Sequence, residues 1–124
     1  ALTDSIKAIL AKATTSVQFK TGSDVLTTNS KAVLDSLAKA LTAWPEYQLI
    51  MTGHTDSQGK DSKNLELSKR RAKACFTYLQ EKGVLEAAMV HDGKGEAEPI
   101  ADNKTAAGRR QNRRVAFELQ LNVD

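Results

Sequence analysis

The chain has little cysteine, proline or aromatic content. A single cysteine, Cys75, excludes an intrachain disulfide, so packing must stabilise the fold, and its helical context predicts an inert buried thiol. Aromatic residues make up 5% of the chain, which disfavours a nucleic-acid surface built on stacked aromatic side chains. No apolar run approaches the roughly 20 residues that cross a bilayer, and the N-terminus lacks a signal-peptide pattern.

The length and charge of the chain favour one domain with a mildly basic surface. A chain of 124 residues with 40% hydrophobic residues fits one core of ordinary size. The net charge is +3, and the basic residues cluster at 69–73 and 109–114. We interpret these clusters as solvated faces, with a basic nucleic-acid-binding domain as the alternative function.

Hydrophobic periodicity predicts an α+β fold with the strand and helix order β-α-β-α-β-β. This order predicts a mixed sheet with helices packed on one face. A short helix or linker precedes it, at residues 1–16. The predicted elements are a helix at Thr3–Ala13, a strand at Val17–Phe19, a helix from Val33 to Trp44, a central strand at Tyr47–Thr52, a helix between Asp61 and Gly83, a strand at Ala88–His91, a long loop at Gly93–Gly108 and a strand at Arg113–Leu121.

Opposite charges flank the junction between the predicted central strand and the helix that follows it. The segment Gly53-His54-Thr55-Asp56-Ser57-Gln58-Gly59 ends the strand, and Asn64, Ser68 and Arg71 then share one stripe of the helix. Asp56 and Arg71 are therefore expected to face one cleft, as a site for a zwitterion requires. A direct salt bridge between the two side chains is the structural alternative.

These residues, with a second stretch further on, resemble the OmpA-like C-terminal domain. The second stretch runs from Gly93-Lys94-Gly95-Glu96 to Asn112-Arg113-Arg114-Val115, and the resemblance covers Val17 to Leu121. This family is the peptidoglycan-binding module of outer-membrane proteins, peptidoglycan-associated lipoproteins and flagellar stator subunits. The resemblance implies an OmpA-C-like sandwich and a binding domain at residues 17–124.

The resemblance also implies a noncatalytic function without a cofactor. Family members bind the diaminopimelate of the peptidoglycan stem peptide, whose tip carries an ammonium and a carboxylate on one carbon. Carried onto this sequence, Asp56 accepts from the ammonium and Arg71 binds the carboxylate through two parallel hydrogen bonds. The other matching positions are Thr55, Gly59, Asn64, Leu67, Arg113 and Phe19. Lys20 departs from the family pattern, in which Asp or Asn often follows the aromatic residue.

The expected partner is peptidoglycan in the periplasm, where the domain anchors an envelope protein or assembly to the cell wall. Nucleic acid is not expected as a partner, and any attachment to the outer or inner membrane would use a segment absent from this chain. Residue types alone leave open that Asn64 caps a helix, Leu67 packs in the core and Arg113 is an edge-strand charge.

A metal-dependent cell-wall hydrolase is a weaker alternative. His54 and Asp56, with His91 and Asp92, are residue types that bind zinc or iron, although their spacing is not diagnostic.

Overall fold

Two helices precede the first strand, and strands and helices then alternate, in the computed structural model, which describes residues 4–20 and 22–121. None of the helices in those ranges has the length and apolar character that a membrane span requires. In chain order the elements are α1 (Asp4–Ser16), α2 (Thr28–Thr42), β1 (Tyr47–His54), α3 (Asp61–Glu81), a 3₁₀ turn (Glu86–Ala88), β2 (Met89–Gly95), α4 (Ala106–Asn112) and β3 (Arg114–Leu121).

β1 is the central strand of the three-stranded sheet in the described chain, as its consecutive apolar residues predict. It runs parallel to β2 and antiparallel to β3, so the strand order is β2-β1-β3. Leu49 and Met51 are fully buried on one face, whereas Ile50 on the other face is only partly covered. The predicted α+β class with a mixed sheet is confirmed.

Two glycines allow α3 to pack directly against this sheet. A Cβ atom at Gly53 of β1 would lie 2.0 Å from the backbone oxygen of Ser68, and one at Gly93 of β2 would lie 2.4 Å from a backbone nitrogen of α3. Ser68 is fully buried, and its Oγ accepts a hydrogen bond from the Gly95 nitrogen at 2.9 Å. The sheet therefore sets the position of Arg71, which lies almost one turn further along α3.

The first helix contributes to the same hydrophobic core as the rest of the described chain. Ile6, Leu10 and Ala13 are buried in this core. The predicted helix is confirmed over residues 4–13 and continues to Ser16, while Thr3 lies outside the described residues. The boundary between a segment at 1–16 and a binding domain at 17–124 stays a prediction.

α1 also covers the free edge of β3. The Thr14 hydroxyl accepts a hydrogen bond from the Phe117 nitrogen at 3.0 Å, and it donates to the Leu10 carbonyl at 3.1 Å. An edge strand exposes unpaired backbone groups, and this contact satisfies one of them.

The predicted first strand is not part of the sheet in the described chain. Phe19 forms a single antiparallel bridge with Leu26. The Lys20 nitrogen donates to the Val25 carbonyl at 2.9 Å, and the Thr27 nitrogen donates to the Gln18 carbonyl at 3.1 Å. Residues 18–20 thus pair with residues 25–27, which lead directly into α2, and not with a strand of the sheet.

Part of the predicted loop at Gly93–Gly108 is regular structure. β2 extends to Gly95, and α4 begins at Ala106 after Thr105, whose hydroxyl accepts from the Gly108 nitrogen at 2.9 Å. The fully buried Asn112 holds the intervening loop, because its Oδ1 accepts from two successive backbone nitrogens and its Nδ2 donates to a backbone carbonyl. The sequence prediction missed α4 because Gly, Pro, Asn and Asp dominate this stretch.

Candidate functional site

A short loop after β1 fixes the carboxylate of Asp56 at the carboxyl end of the central strand. The Thr55 nitrogen donates to the Gly95 carbonyl at 2.8 Å, which keeps the chain beside β2 for one more residue. Asp56 Oδ1 accepts from the Gln58 nitrogen at 2.9 Å. Asp56 is 7% exposed. The hydrogen bond from the Gln58 nitrogen and the burial therefore restrict the orientation of the carboxylate.

Asn64 holds the same loop from the first turns of α3. Its Nδ2 donates to the Gln58 carbonyl at 2.9 Å and to Glu96 Oε1 at 3.2 Å. Gly59 has φ +86°, a backbone conformation that L side chains rarely adopt. Asn64 and Gly59 thus shape the loop that carries Asp56.

Arg71 approaches the same place from α3. It is 9% exposed, its Nε donates to the Ser23 carbonyl at 2.9 Å, and its guanidinium lies 5.1 Å above the centre of the Phe19 ring. Its two terminal nitrogens make no hydrogen bond within the described residues. Burial and the neighbouring Arg113 lower the pKa of Arg71, yet an arginine stays charged at neutral pH. The forked end of Arg71 is available to an anion.

Asp56 forms an ion pair with Arg113, not with Arg71. Arg113 Nη1 donates to Asp56 Oδ2, and the Arg113 side chain is 41% exposed. In the described part of the chain, Asp56 and Arg71 do not form an ion pair, so the direct salt bridge considered from the sequence is not present. Each Asp56 oxygen still has a lone pair for a cationic ligand.

Asp56, Arg71, Arg113 and Phe19 line one cavity of about 560 Å³. Thr55, Gly59, Asn64 and Leu67 are not among its lining residues. Thr55 is buried, and Leu67 is half-buried on α3. The described residues that line the cavity are Val17, Gln18, Phe19, Gly22, Asp56, Gln58, Arg71, Arg110, Arg113 and Arg114.

Sequence reasoning missed Arg110 and Arg114 as lining residues. Both belong to the basic cluster that was interpreted as a solvated face, and α4 with the start of β3 turns them toward the cavity. The Arg109 to Arg114 run was the available signal. These charges could not be placed in the cavity from the sequence, because α4 was not predicted.

The candidate metal ligands do not form a metal site. Across residues 4–20 and 22–121, no group of three or more His, Cys, Asp or Glu side chains is placed to hold a metal ion. Burial and the charge of Arg114 lower the pKa of His54 to about 4, and its buried Nδ1 has no hydrogen-bond partner. His91 packs against Phe76 with ring centres 4.7 Å apart.

This fold and cavity define an α+β domain with a charged cavity at the end of its central strand. A family model described as the OmpA family matches residues 18–113, and the chain belongs to that family.

Relatives of known name and structure agree with this membership. The chain is 42% identical over 89 residues to outer membrane protein A of Bordetella avium, covering 72% of this chain and 46% of the relative. It is 39% identical over 83 residues to the peptidoglycan-binding protein ArfA of Mycobacterium tuberculosis, covering 67% and 26%. The chain spans less than half the length of either of these relatives.

A solved structure shares both the fold and recognisable sequence. The peptidoglycan-associated lipoprotein from Burkholderia pseudomallei has a TM-score of 0.79 and 31% identity to this chain. The match covers 84% of this chain and 88% of that one.

Proposed function

We propose that this domain binds peptidoglycan noncatalytically, through the diaminopimelate of the stem peptide. The observation that carries the proposal is the convergence of Asp56 and Arg71. Both side chains are nearly buried and line one cavity, and within the described residues the terminal nitrogens of Arg71 make no hydrogen bond or ion pair.

The chemistry of the cavity suits the tip of diaminopimelate. The ammonium of the ligand binds the carboxylate of Asp56, which also pairs with Arg113. The carboxylate of the ligand accepts two parallel hydrogen bonds from the terminal nitrogens of Arg71. The Phe19 ring and the Ser23 carbonyl hold the guanidinium in place before the ligand arrives, which reduces the entropy lost on binding. No cofactor takes part in this binding.

The names of the relatives support peptidoglycan as the ligand and the cell envelope as the location. The Burkholderia protein is a peptidoglycan-associated lipoprotein, and the mycobacterial relative is a peptidoglycan-binding protein. The Bordetella relative is an outer membrane protein. We infer that this domain works in the periplasm and anchors an envelope protein or assembly to the cell wall, with any membrane attachment made by another segment.

Co-sedimentation with purified sacculi tests the proposal. Asp56→Asn keeps an acceptor for the Gln58 nitrogen but removes the charge, and Arg71→Ala removes the fork. Each change is expected to weaken binding by roughly 2–5 kcal/mol, because a ligand charge is left unpaired in a desolvated site. Thermal unfolding of each variant establishes that the domain is still folded.

Arg70→Ala is the matched control. Arg70 is the neighbour of Arg71 in sequence, but it pairs with Glu66 on the surface of α3 and does not line the cavity. Retained binding by Arg70→Ala is therefore expected. Full binding by both cavity variants would refute the proposal, and competition by duplex DNA that disappears at high salt would favour the nucleic-acid alternative.

A further inference from the structure

Among the described residues that line the cavity, positively charged side chains outnumber negatively charged ones. Its walls include the guanidinium groups of Arg71, Arg110, Arg113 and Arg114 but only one carboxylate, that of Asp56. The tip of diaminopimelate adds one positive and one negative charge. A site with this excess favours a ligand that carries further negative charge.

Three of these arginines, Arg110, Arg113 and Arg114, belong to α4 and the residues that follow it. Arg113 is paired with Asp56. Arg114 donates from its two terminal nitrogens to the backbone carbonyls of Asn112 and Glu98, both at 3.2 Å, which holds its position, and the charge of Glu98 acts on it without forming an ion pair within the described residues. The exposed Arg110 makes no hydrogen bond or ion pair within the described residues.

A second hollow of about 340 Å³ adjoins these residues. It shares Gln18, Arg110, Arg113 and Arg114 with the larger cavity. The end of α1 and the loop before α4 complete its wall. The two hollows are therefore adjacent, and Arg110 borders both of them, whereas Arg71 lines only the larger one.

We propose that the second hollow binds a second carboxylate of the same stem peptide, and that Arg110 recognises it while Arg114 supplies a fixed positive charge. This inference rests on the proposed function, since it needs diaminopimelate in the larger cavity. The stem peptide offers two sources of this group, the α-carboxylate of its γ-linked glutamate and the chain-terminal carboxylate. The domain would thus distinguish free stem peptides from those with amidated carboxylates.

Three synthetic peptides test the proposal by calorimetry at low salt. They are L-Ala-γ-D-Glu-meso-diaminopimelate, the same tripeptide with the glutamate α-carboxylate amidated, and the same tripeptide with the terminal carboxylate amidated. Each amide removes one negative charge with little change of shape. One of the two amides is expected to bind about three- to tenfold more weakly, as for a partly exposed charge pair, and the weaker one identifies the source.

Arg110→Gln is the decisive variant. This variant is expected to bind all three peptides with the affinity that the native domain has for the more weakly bound amidated peptide. Added salt should reduce the preference of the native domain for the unamidated peptide, because Arg110 is exposed. Lys104→Gln makes the same change of net charge at an exposed residue that lines neither hollow, and it should keep the preference.

Two results would overturn the inference. Equal affinity of the native domain for the three peptides would show that no second carboxylate is recognised. Equal effects of Arg110→Gln and Lys104→Gln would show that Arg110 contributes only to the net charge of the domain and does not bind the carboxylate. In both cases Arg71→Ala would still weaken binding of the tripeptide by at least about 30-fold if the proposed function is right. If Arg71→Ala binds the tripeptide normally, the proposed function itself fails and this inference falls with it.

Discussion

Arg71→Lys separates the charge of the site from its geometry. Lysine keeps one positive charge at position 71 but presents a single ammonium in place of a planar fork. It also has no equivalent of the Nε group that donates to the Ser23 carbonyl at 2.9 Å, and it loses the flat contact with the Phe19 ring. The substitution therefore removes the features that orient the group while preserving its attraction for a carboxylate.

The expected loss can be estimated from the contacts. A hydrogen bond to a charged group contributes about 1.5–3 kcal/mol, and the fork loses one of its two bonds to the ligand carboxylate. This corresponds to about 10- to 150-fold weaker binding of a meso-diaminopimelate tripeptide. The free energy of unfolding should fall by only about 1 kcal/mol, since the Ser23 carbonyl loses one donor.

Isothermal titration calorimetry, with thermal unfolding in parallel, measures both quantities. Arg70→Lys is the matched control, because Arg70 is about half exposed and outside the cavity. Its affinity should equal that of the native domain. If Arg71→Lys binds the tripeptide within twofold of the native affinity, the bidentate contact assigned to Arg71 is wrong.

Three further predictions concern the scaffold. The pKa of His54 is lowered to about 4, so its neutral form is favoured in the folded state. The free energy of unfolding, measured by denaturant titration, should therefore be highest above pH 6.5 and fall by about 3 kcal/mol as the pH drops to 4. Gly53→Ala should lower the free energy of unfolding by more than about 2 kcal/mol, because its Cβ would lie 2.0 Å from the Ser68 backbone oxygen. Thr14→Val should lower it by about 1–3 kcal/mol, because the Phe117 nitrogen loses its acceptor.

Each scaffold prediction has a matched control. His54→Asn should flatten the pH dependence between 6.5 and 4, and an unchanged slope would contradict the assignment to His54. Gly59→Ala should cost about 1 kcal/mol, because nothing lies within 4 Å of its Cβ and only the positive φ is strained. Thr15→Val alters an exposed residue and should be nearly neutral. Equal losses for Thr14→Val and Thr15→Val would argue against the contact with β3.

The elements with strong local patterns were predictable from the sequence. The run Leu49-Ile50-Met51 indicated a central strand, and the apolar spacing between Asp61 and Gly83 indicated α3. α4 was not predictable in this way. Its start is set by the Thr105 cap, and its end is held by Asn112 through contacts with residues about ten positions earlier.

In the candidate site too, contacts between neighbouring elements were predictable and contacts between distant residues were not. Asp56 and Arg71 lie in neighbouring elements, so strand and helix geometry indicated that they face one cleft. Asp56 and Arg113 are 57 positions apart, and no local pattern could reveal that they pair. Arg110 reaches the cavity only because α4 forms, which explains why its charge was interpreted as solvated.

The most direct measurement compares two stem tripeptides that differ only at their third residue, meso-diaminopimelate or L-lysine. Lysine keeps the ammonium that Asp56 is proposed to bind and lacks the carboxylate proposed for Arg71. The native domain should bind the diaminopimelate peptide at least about 30-fold more tightly, the lower bound for a charge left unpaired in a desolvated site. Equal affinities would contradict the claim that Asp56 and Arg71 together bind a zwitterion.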